Sequence, residues 1–395
     1  MVAQAPVFGL AGGFAQGAFE GTSIQKTYSM GVNYNRIFSP TLISEFRVGV
    51  AHYHSDAMNS DYGTTASTAV GIPGVNIDAW TSGLASINVN GGFSTPLVGY
   101  VNSMPWHRAE ANISVVNSWT KTVGNHTIKW GVDYRRLRDD LLQTQTINPR
   151  GLFNFNTAQT SLNPGSGGVA PKTGLVNNMA SFLLDQPSDG GRDIAAYYPA
   201  LRGHQLFLFV QDKWQVSSKL TLDFGLRWEF YPPPTPAFPG GFSNYNPVNN
   251  PLVLAGIGGN PMNNGMQKNW KYFAPRLGLS YRLNNATVIR AGFGVSYTPF
   301  PDNTYTYNFP IKQNNQYSLG ANAYAPGVTP SGVFSMASGF PAPQLAVIPT
   351  NGIITNPSLT QSDIVIPLNY KNPDVQSWNF SIQRSLPLHF TLDVA

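Results

Sequence analysis

The sequence predicts an all-β fold, an antiparallel up-and-down transmembrane β-barrel, and three observations lead to that prediction. About ten segments alternate apolar and polar residues with a period of two, which indicates strands whose two faces meet different environments. Short turns and long Gly/Pro/Asn-rich connections follow one another in strict alternation. Only 11% of the 395 residues are charged, whereas a soluble domain carries about 25%.

The rest of the composition narrows the class of protein. The hydrophobic share is 42%, and no run of about 18 apolar residues occurs, so the sequence excludes a protein that crosses membranes with helices. The chain has no cysteine, which excludes disulfides and thiolate metal sites. The net charge of +5 is scattered along the chain, and we therefore expect no nucleic-acid partner.

The alternating segments pair into five hairpins with short turns. In chain order, the paired segments are 26–38 and 42–51, 108–122 and 127–135, 204–214 and 220–230, 276–282 and 288–297, and 378–383 with 390–394. The predicted turns lie near Pro40, Gly124, Ser218, Asn285 and Pro387. The long connections cover roughly 55–107, 143–203, 232–272 and 298–374. One rim of the barrel should therefore carry only tight periplasmic turns, and the other should carry large extracellular loops.

The segment 220–230 shows the pattern most clearly. Its apolar residues are Leu220, Leu222, Phe224, Leu226, Trp228 and Phe230. Polar residues or glycine occupy the positions between them. In a membrane barrel the apolar row faces lipid and the polar row faces the lumen. The segment 204–214 is apolar throughout 206–210, so its two faces are left unassigned.

A soluble β-sandwich would also alternate, with its apolar face inward. Four connections longer than about 15 residues are unusual for a compact domain, and the charge content is low for a surface in water. Aromatic residues also gather beside turns and loop roots, as expected for the girdles at membrane interfaces. They are Tyr28, Tyr34, Phe38, Trp119, Trp130, Tyr134, Trp214, Trp228, Tyr281, Tyr297 and Trp378. We therefore favour the membrane barrel.

Charged residues on the predicted polar rows are the candidate functional residues. They are Glu45, Arg47, Lys129, Asp133, Arg135, Asp223, Arg227, Glu229, Arg276, Arg282 and Arg290. We interpret each single residue as an ordinary lumen residue in contact with water, within a network of positive and negative side chains. As a group, they would provide a polar path for a solute.

No motif for catalysis or for a cofactor is present, so we predict neither an enzyme nor a resident metal. His52 and His54 have the spacing of two ligands on one strand face, but no third ligand accompanies them, and we interpret them as polar residues at a loop root. The sequence contains no G-x-S-x-G elbow, Walker loop or dinucleotide fingerprint. Residues 174–185 have a helical pattern and predict a short helix within a long loop.

A family resemblance begins at residues 205–231, QLFLFVQDKWQVSSKLTLDFGLRWEFY. This hairpin resembles those of TonB-dependent outer-membrane transporters, in which F-Q-D-x-W, a short turn and L-T-L-x-x-G-x-R-x-E follow one another. The stretches 34–49, 124–136, 272–283 and 376–387 are similar to the Oar-like branch of that family. The resemblance implies uptake of a bulky solute such as a metal chelate, cobalamin, a glycan or a peptide. It also implies energy relayed by TonB through a plug domain, and the charged residues of the polar rows would as a group face that plug.

Barrels of that family have about 22 strands, so we expect this chain to supply about ten strands of a larger barrel. Residues 1–25 are predicted to be a loop or an incomplete segment, and residues 26–395 a partial barrel without the plug domain and the C-terminal strands. The implied location is the outer membrane of a Gram-negative-type bacterium. The implied partners are outer-membrane lipid, the chain's own plug domain, TonB and an unknown solute. The main alternative is a surface adhesin or structural barrel that binds a partner through its loops, and a passive porin is a further one.

Overall fold

A computed structural model describes residues 2–6, 21–91, 96–100, 104–143, 148–161, 171–195, 200–301, 309–310, 312–320, 323–324, 334–343, 345–357 and 364–395. Within these residues strands dominate. In chain order, they are β1 (Val2–Pro6), β2 (Gly21–Ser39), β3 (Leu42–Asn59), β4 (Ser86–Val89), β5 (Trp106–Val123), β6 (His126–Gln143), β7 (Leu152–Phe155), β8 (Asp189–Ala195), β9 (Leu201–Gln215), β10 (Leu220–Phe230), β11 (Thr235–Pro236), β12 (Ser243–Tyr245), β13 (Pro251–Leu254), β14 (Tyr272–Asn284), β15 (Thr287–Tyr297), β16 (Lys312–Ser318), β17 (Ile353–Thr355), β18 (Asp374–Ser385) and β19 (Thr391–Val394). The helices are α1 (Ala66–Ala69), α2 (Pro171–Leu183) and two 3₁₀ turns, Thr157–Gln159 and Pro387–His389.

One antiparallel sheet of twelve strands forms the body of the molecule. Its order is β1-β2-β3-β5-β6-β9-β10-β14-β15-β18-β19, and β11 adds to β9. Chain order and spatial order therefore agree, which is the up-and-down arrangement that we predicted. Over the described residues the sheet is open between β1 and β19. No helix in the described part of the chain is long and apolar enough to cross a membrane.

All five predicted turns are confirmed, and they lie at the same end of the sheet. Three of them have two residues, and in the one that joins β5 to β6 Gly124 has the positive φ of +55° that a tight turn requires. The long connections all leave from the opposite end. The strands differ from their predicted bounds mainly at that end: β3 runs on to Asn59 and β6 to Gln143.

The register confirms two chemically different faces. Residues opposite one another in neighbouring strands share a face, and Leu222 lies between Trp214 of β9 and Leu279 of β14. We call this side the apolar face and the other side the polar face. Large side chains on the apolar face remain exposed, for example Met30 at 72% and Trp378 at 78%. A soluble sheet would bury them, so their exposure fits contact with lipid.

The register also assigns the faces of β9. Leu206, Leu208 and Val210 pair with Tyr134, Val132 and Trp130 on the apolar face. Phe207 and Phe209 therefore lie on the polar face, opposite Asp133 and Gly131. The continuous apolar run 206–210 thus contributes side chains to both the apolar face and the polar face.

Gly131 of β6 leaves no room for a side chain between β5 and β9. A Cβ there would clash with the Asn117 carbonyl oxygen and lie 2.9 Å from the Phe209 ring. At Gly203 of β9 the nearest atoms, all of Leu137, are 3.6 Å or more away. We therefore expect Gly131→Ala to destabilise the barrel by roughly 1–3 kcal/mol and Gly203→Ala to have little effect. Unfolding in detergent, followed by gel mobility, measures both, and equal midpoints for the two variants would contradict the prediction.

The long connections contain more structure than the sequence indicated. Four strands form a sheet in the order β16-β8-β7-β4, and three form a second sheet, β12-β13-β17. The first packs a core around Phe153, Phe155, Phe334 and Phe340. The sequence predicted long connections here without predicting these strands, whereas the helix predicted at 174–185 is confirmed as α2, Pro171–Leu183.

The N-terminal segment, residues 1–25, was predicted to be a loop or an incomplete segment. In the structure Val2–Pro6 forms β1, and residues 21–25 belong to β2. The pairing β1–β2 is antiparallel and begins opposite Lys26. Residues 7–20 lie outside the described residues.

Candidate functional site

A network of charges lies on the polar face across β6, β9 and β10. Asp133 is at its centre and accepts hydrogen bonds from Arg135 Nη2 at 2.9 Å and from Arg227 Nη2 at 3.2 Å. Arg227 also donates from Nε to Glu229 Oε1 at 3.1 Å. Asp133 and Glu229 are 6% and 5% exposed. Both carboxylates are thus withdrawn from water and compensated by guanidinium groups.

Phe207 of β9 fills the space between the two arginines. It lies opposite both Asp133 and Glu229 in the register, so β9 brings it between the charged side chains of β6 and β10. The Cζ atoms of Arg227 and Arg135 are 4.2 Å and 5.2 Å from its ring centroid. An aromatic face attracts cations, and the attraction grows where water is excluded. Phe207 is 2% exposed, and of the two guanidinium groups beside it Arg227 is mostly buried and Arg135 about half exposed.

Two tyrosines extend the network toward the loop end of the sheet. Tyr231 donates from its hydroxyl to Glu229 Oε2 at 2.7 Å. Burial, followed by the Glu229 carboxylate, raises the pKa of Tyr231 well above its usual range, so this tyrosine stays a donor. The rings of Tyr231 and Tyr272 then meet edge to face at 5.9 Å. The charges on the polar face are thereby connected to the loop layer.

A cavity of about 530 Å³ opens beside these tyrosines, where the strands meet the loops. Its walls are rich in proline and aromatic rings, including Pro232, Pro233, Pro234, Pro299, Pro301, Pro373, Tyr231, Tyr272, Phe300 and Tyr370. Glu110 and Asp139 contribute carboxylates from the polar face. Arg108 lies beside both of them, with its Nε 3.7 Å from Asp139 Oδ1. We call this space the mouth cavity.

The eleven predicted residues divide into one cluster and several separate positions. Asp133, Arg135, Arg227 and Glu229 form the network described above. Glu45 and Arg47 make their own ion pair at 3.4 Å, with Arg47 about half exposed. Arg47 and Lys129 line a second cavity of about 510 Å³ together with three members of the network.

The remaining four predicted residues lie elsewhere on the same face. Asp223 accepts a hydrogen bond from Gln211 Nε2 at 2.8 Å, and Arg282 donates to the Ser218 carbonyl oxygen at 2.9 Å. Arg276 shares a smaller cavity of about 210 Å³ with Lys129. Arg290 is exposed on β15, opposite Ser280.

Two buried arginines in the loop layer were not among the predicted residues. Arg150 and Arg192 are 0% and 1% exposed. Arg192 donates from Nη2 to the Pro341 carbonyl oxygen at 2.7 Å and lies over the Phe340 ring. Burial lowers the pKa of Arg150 to about 10. The only signals in the sequence are neighbouring glycines, Gly151 for the first and the Gly190-Gly191 pair for the second.

The histidines at the loop root do not act as a pair. His52 stacks on Tyr28 at 6.2 Å between centroids. His54 contacts Asp56 at 2.7 Å, and His107 contacts the other oxygen of the same carboxylate at 2.8 Å. Among the described residues no group of three or more His, Asp or Glu could hold a metal ion.

Comparisons with known proteins complete the description. The family model for "Outer membrane beta barrel domain" matches residues 2–395. A search of curated proteins finds no match. Matching solved structures include the copper transporter OprC, with 12% identity and a TM-score of 0.36 over 73% of this chain and 31% of that one. They also include the closed form of the ferric-catecholate import receptor Fiu from E. coli K12, with 10% identity and a TM-score of 0.41 over 94% of this chain and 40% of that one. The chain therefore spans less than half the length of either transporter.

Proposed function

Since the chain belongs to the outer membrane β-barrel domain family and lies in the outer membrane, we propose that it is the barrel portion of a TonB-dependent transporter or receptor. In this function the long extracellular loops capture a bulky solute, and energy relayed from the inner membrane opens a plugged lumen. The apolar face meets lipid, and the polar face lines the lumen. No covalent chemistry is involved.

One observation supports this proposal above others. The hairpin β9–β10, which resembles the transporter family in sequence, is the same hairpin that supplies Phe207, Arg227 and Glu229 to the network. A passive pore needs only a wet lumen, whose charges face water. Here the charges are paired and partly buried, while Arg47 and Arg135 remain about half exposed toward the interior. Such a surface can form further ion pairs with a plug domain.

The mouth cavity supports capture on the extracellular side. It lies where the loops meet the ends of β5, β6, β9 and β10, and Tyr231 belongs to both the cavity and the network. A solute seated there would be in contact with the group of residues that we propose to face the plug. Binding at the mouth and opening of the lumen could then be coupled through Tyr231 and Glu229.

Surface adhesion is the second candidate, and the folded loop layer favours it. The two loop sheets bury their own cores, including Phe153, Phe155, Leu252 and Leu254. An ordered platform of this kind suits the recognition of a partner as well as the capture of a solute. The two functions differ in their need for energy, because adhesion does not consume any.

The test compares the culture medium of cells that carry the gene with that of cells that lack it. We expect at least one solute to be depleted only by cells with the gene and only without a protonophore. Arg227→Gln should reduce that depletion at unchanged protein level, whereas Arg384→Gln, at the exposed periplasmic end of β18, should not. Depletion that persists with the protonophore would indicate a passive pore. The absence of any gene-dependent depletion would contradict transport.

A further inference from the structure

The apolar face ends abruptly in basic residues on β6 and β9. On β6, Arg136 and Arg138 continue the row that begins with Ile128. The nine residues from Ile128 to Arg136 match the roughly 9–11 residues that a tilted strand needs to cross a bilayer. On β9, His204 and Arg202 take the corresponding places opposite Arg136 and Arg138. The change from apolar to basic therefore marks the outer interface of the membrane.

The basic residues at this boundary outnumber the carboxylates that pair with them. Asp140 lies on the same face and pairs with Arg138 at 2.9 Å and with Arg202 at 2.6 Å. One carboxylate therefore pairs with two guanidinium groups. The exposed Arg136 is a third positive charge on the same face. The Arg138 side chain remains 58% exposed. Charges on the lipid side of a barrel are costly near the bilayer centre and become tolerable only at the interface.

Small residues on β5 separate two rows of polar side chains. Ala111 lies between Arg138 of β6 and His52 of β3, and Ala109 lies between Asp140 of β6 and His54 of β3. These two rows are two strand spacings apart, roughly 9–10 Å. The boundary between apolar and polar residues lies further along β3 than along β6, as expected for strands tilted by about 35–45°. We call the surface formed by Arg136, Arg138, Ala109, Ala111, His52 and His54 the rim trough.

An apolar path continues from the rim trough toward the membrane centre. It runs over Ile113 and Val115 of β5. Val50 and Val48 of β3 form one side, and the residues next to Val115 and Ile113 on β6 are Tyr134 and Arg136. A ligand that follows this path must carry an anionic group at the top and hydrocarbon below.

We infer that the rim trough binds the phosphorylated headgroup of an outer-leaflet glycolipid, with acyl chains along Ile113 and Val115. The guanidinium fork of arginine matches phosphate oxygens in pairs, and basic residues at a membrane surface attract anionic lipids. A solute in the lumen cannot reach this side of the sheet. A soluble protein would have to displace lipid from this apolar path, which disfavours it as the occupant. The inference stands apart from transport, since an adhesin would present the same surface.

The test uses the full chain extracted from outer membranes in mild detergent, with bisphosphorylated lipid A as the probe. We expect native mass spectrometry to detect the bound lipid, and titration to give roughly tenfold weaker binding for Arg136→Gln/Arg138→Gln. Monophosphorylated lipid A should also bind more weakly to the unaltered protein. Inorganic phosphate at equal concentration should not compete, because it lacks the acyl chains.

The matched control is Arg384→Gln, which removes an exposed arginine at the periplasmic end of β18. It should bind lipid A as the unaltered protein does, and both variants should show the same heat-dependent gel mobility as evidence of folding. Equal affinities for the double variant and the control would overturn the inference. Full competition by inorganic phosphate would overturn it as well.

Discussion

Replacing Arg150 with alanine is expected to detach the extracellular loop layer from the end of the barrel. Arg150 Nη1 donates to Asn59 Oδ1 at 2.9 Å and to the Met104 carbonyl oxygen at 3.0 Å. Asn59 is the last residue of β3, and Met104 comes just before β5. One fully buried guanidinium group thus joins the loop after β6 to the rim of two other strands.

The expected cost is about 3 kcal/mol, because two buried acceptors lose their donor and a cavity remains in their place. Arg150 is 0% exposed, and this burial lowers its pKa to about 10. The partners must therefore compensate for a large desolvation penalty. Arg150→Met keeps much of the volume and should lose nearly as much stability, since the hydrogen bonds are what the site depends on.

Limited proteolysis of outer-membrane fragments measures the effect. We expect cleavage within residues 60–105 to be much faster in Arg150→Ala, while the barrel strands stay protected. The exposed loop residue Lys268 provides a control, because Lys268→Ala removes a cation without breaking a buried contact. If Arg150→Ala loops resist protease as well as those of the control, Arg150 does not hold the layer in place.

The barrel strands could be predicted from the sequence because their signal is local. β10 was predicted with its observed limits, 220–230, since every residue alternates and a turn precedes it. The two faces of β9 could not be assigned from the sequence, because Phe207 and Phe209 place aromatic rings on the polar face. Their partners, Asp133 and Gly131, come more than seventy residues earlier in the chain, and no pattern within β9 points to them.

The loop sheets could not be predicted because their pairing is not local. β8 contains two adjacent glycines and pairs with β16, a polar strand that starts at residue 312. Neither shows clear alternation, and strand formation there depends on the aromatic core that the loops build together. The burial of Arg192 follows from the same assembly, since its partners lie on segments near Gly74 and Pro341.

The charge network was predicted as a set of residues but not as a structure. Alternation placed Asp133 and Arg227 on the same face without indicating that they meet. Their contact at 3.2 Å depends on the register of β6, β9 and β10 acting together. A shift of one residue in either pairing would move one of them to the lipid side.

Phe207→Ala is expected to have the largest effect of any single change within the barrel. The Phe207 side chain is 2% exposed, and the guanidinium groups of Arg135 and Arg227 lie over its ring. Loss of a buried phenylalanine costs about 3–5 kcal/mol, and here Arg135 and Arg227 also lose the surface that positions them. Phe224 offers a matched control on the apolar face, where its ring is 41% exposed. Phe224→Ala should cost much less in detergent micelles, which replace the lipid around it.

Unfolding midpoints of the two variants decide this prediction, and Phe207→Leu separates packing from the cation–π contribution. Leucine restores much of the volume, so whatever stability is still missing belongs to the loss of the aromatic face. A double-mutant cycle with Asp133→Asn then tests the network directly. If Phe207 acts by holding Arg135 and Arg227 against Asp133, the two changes will be less than additive. Additive costs would mean that the ring only fills space, and the charges of the polar face would then be independent of it.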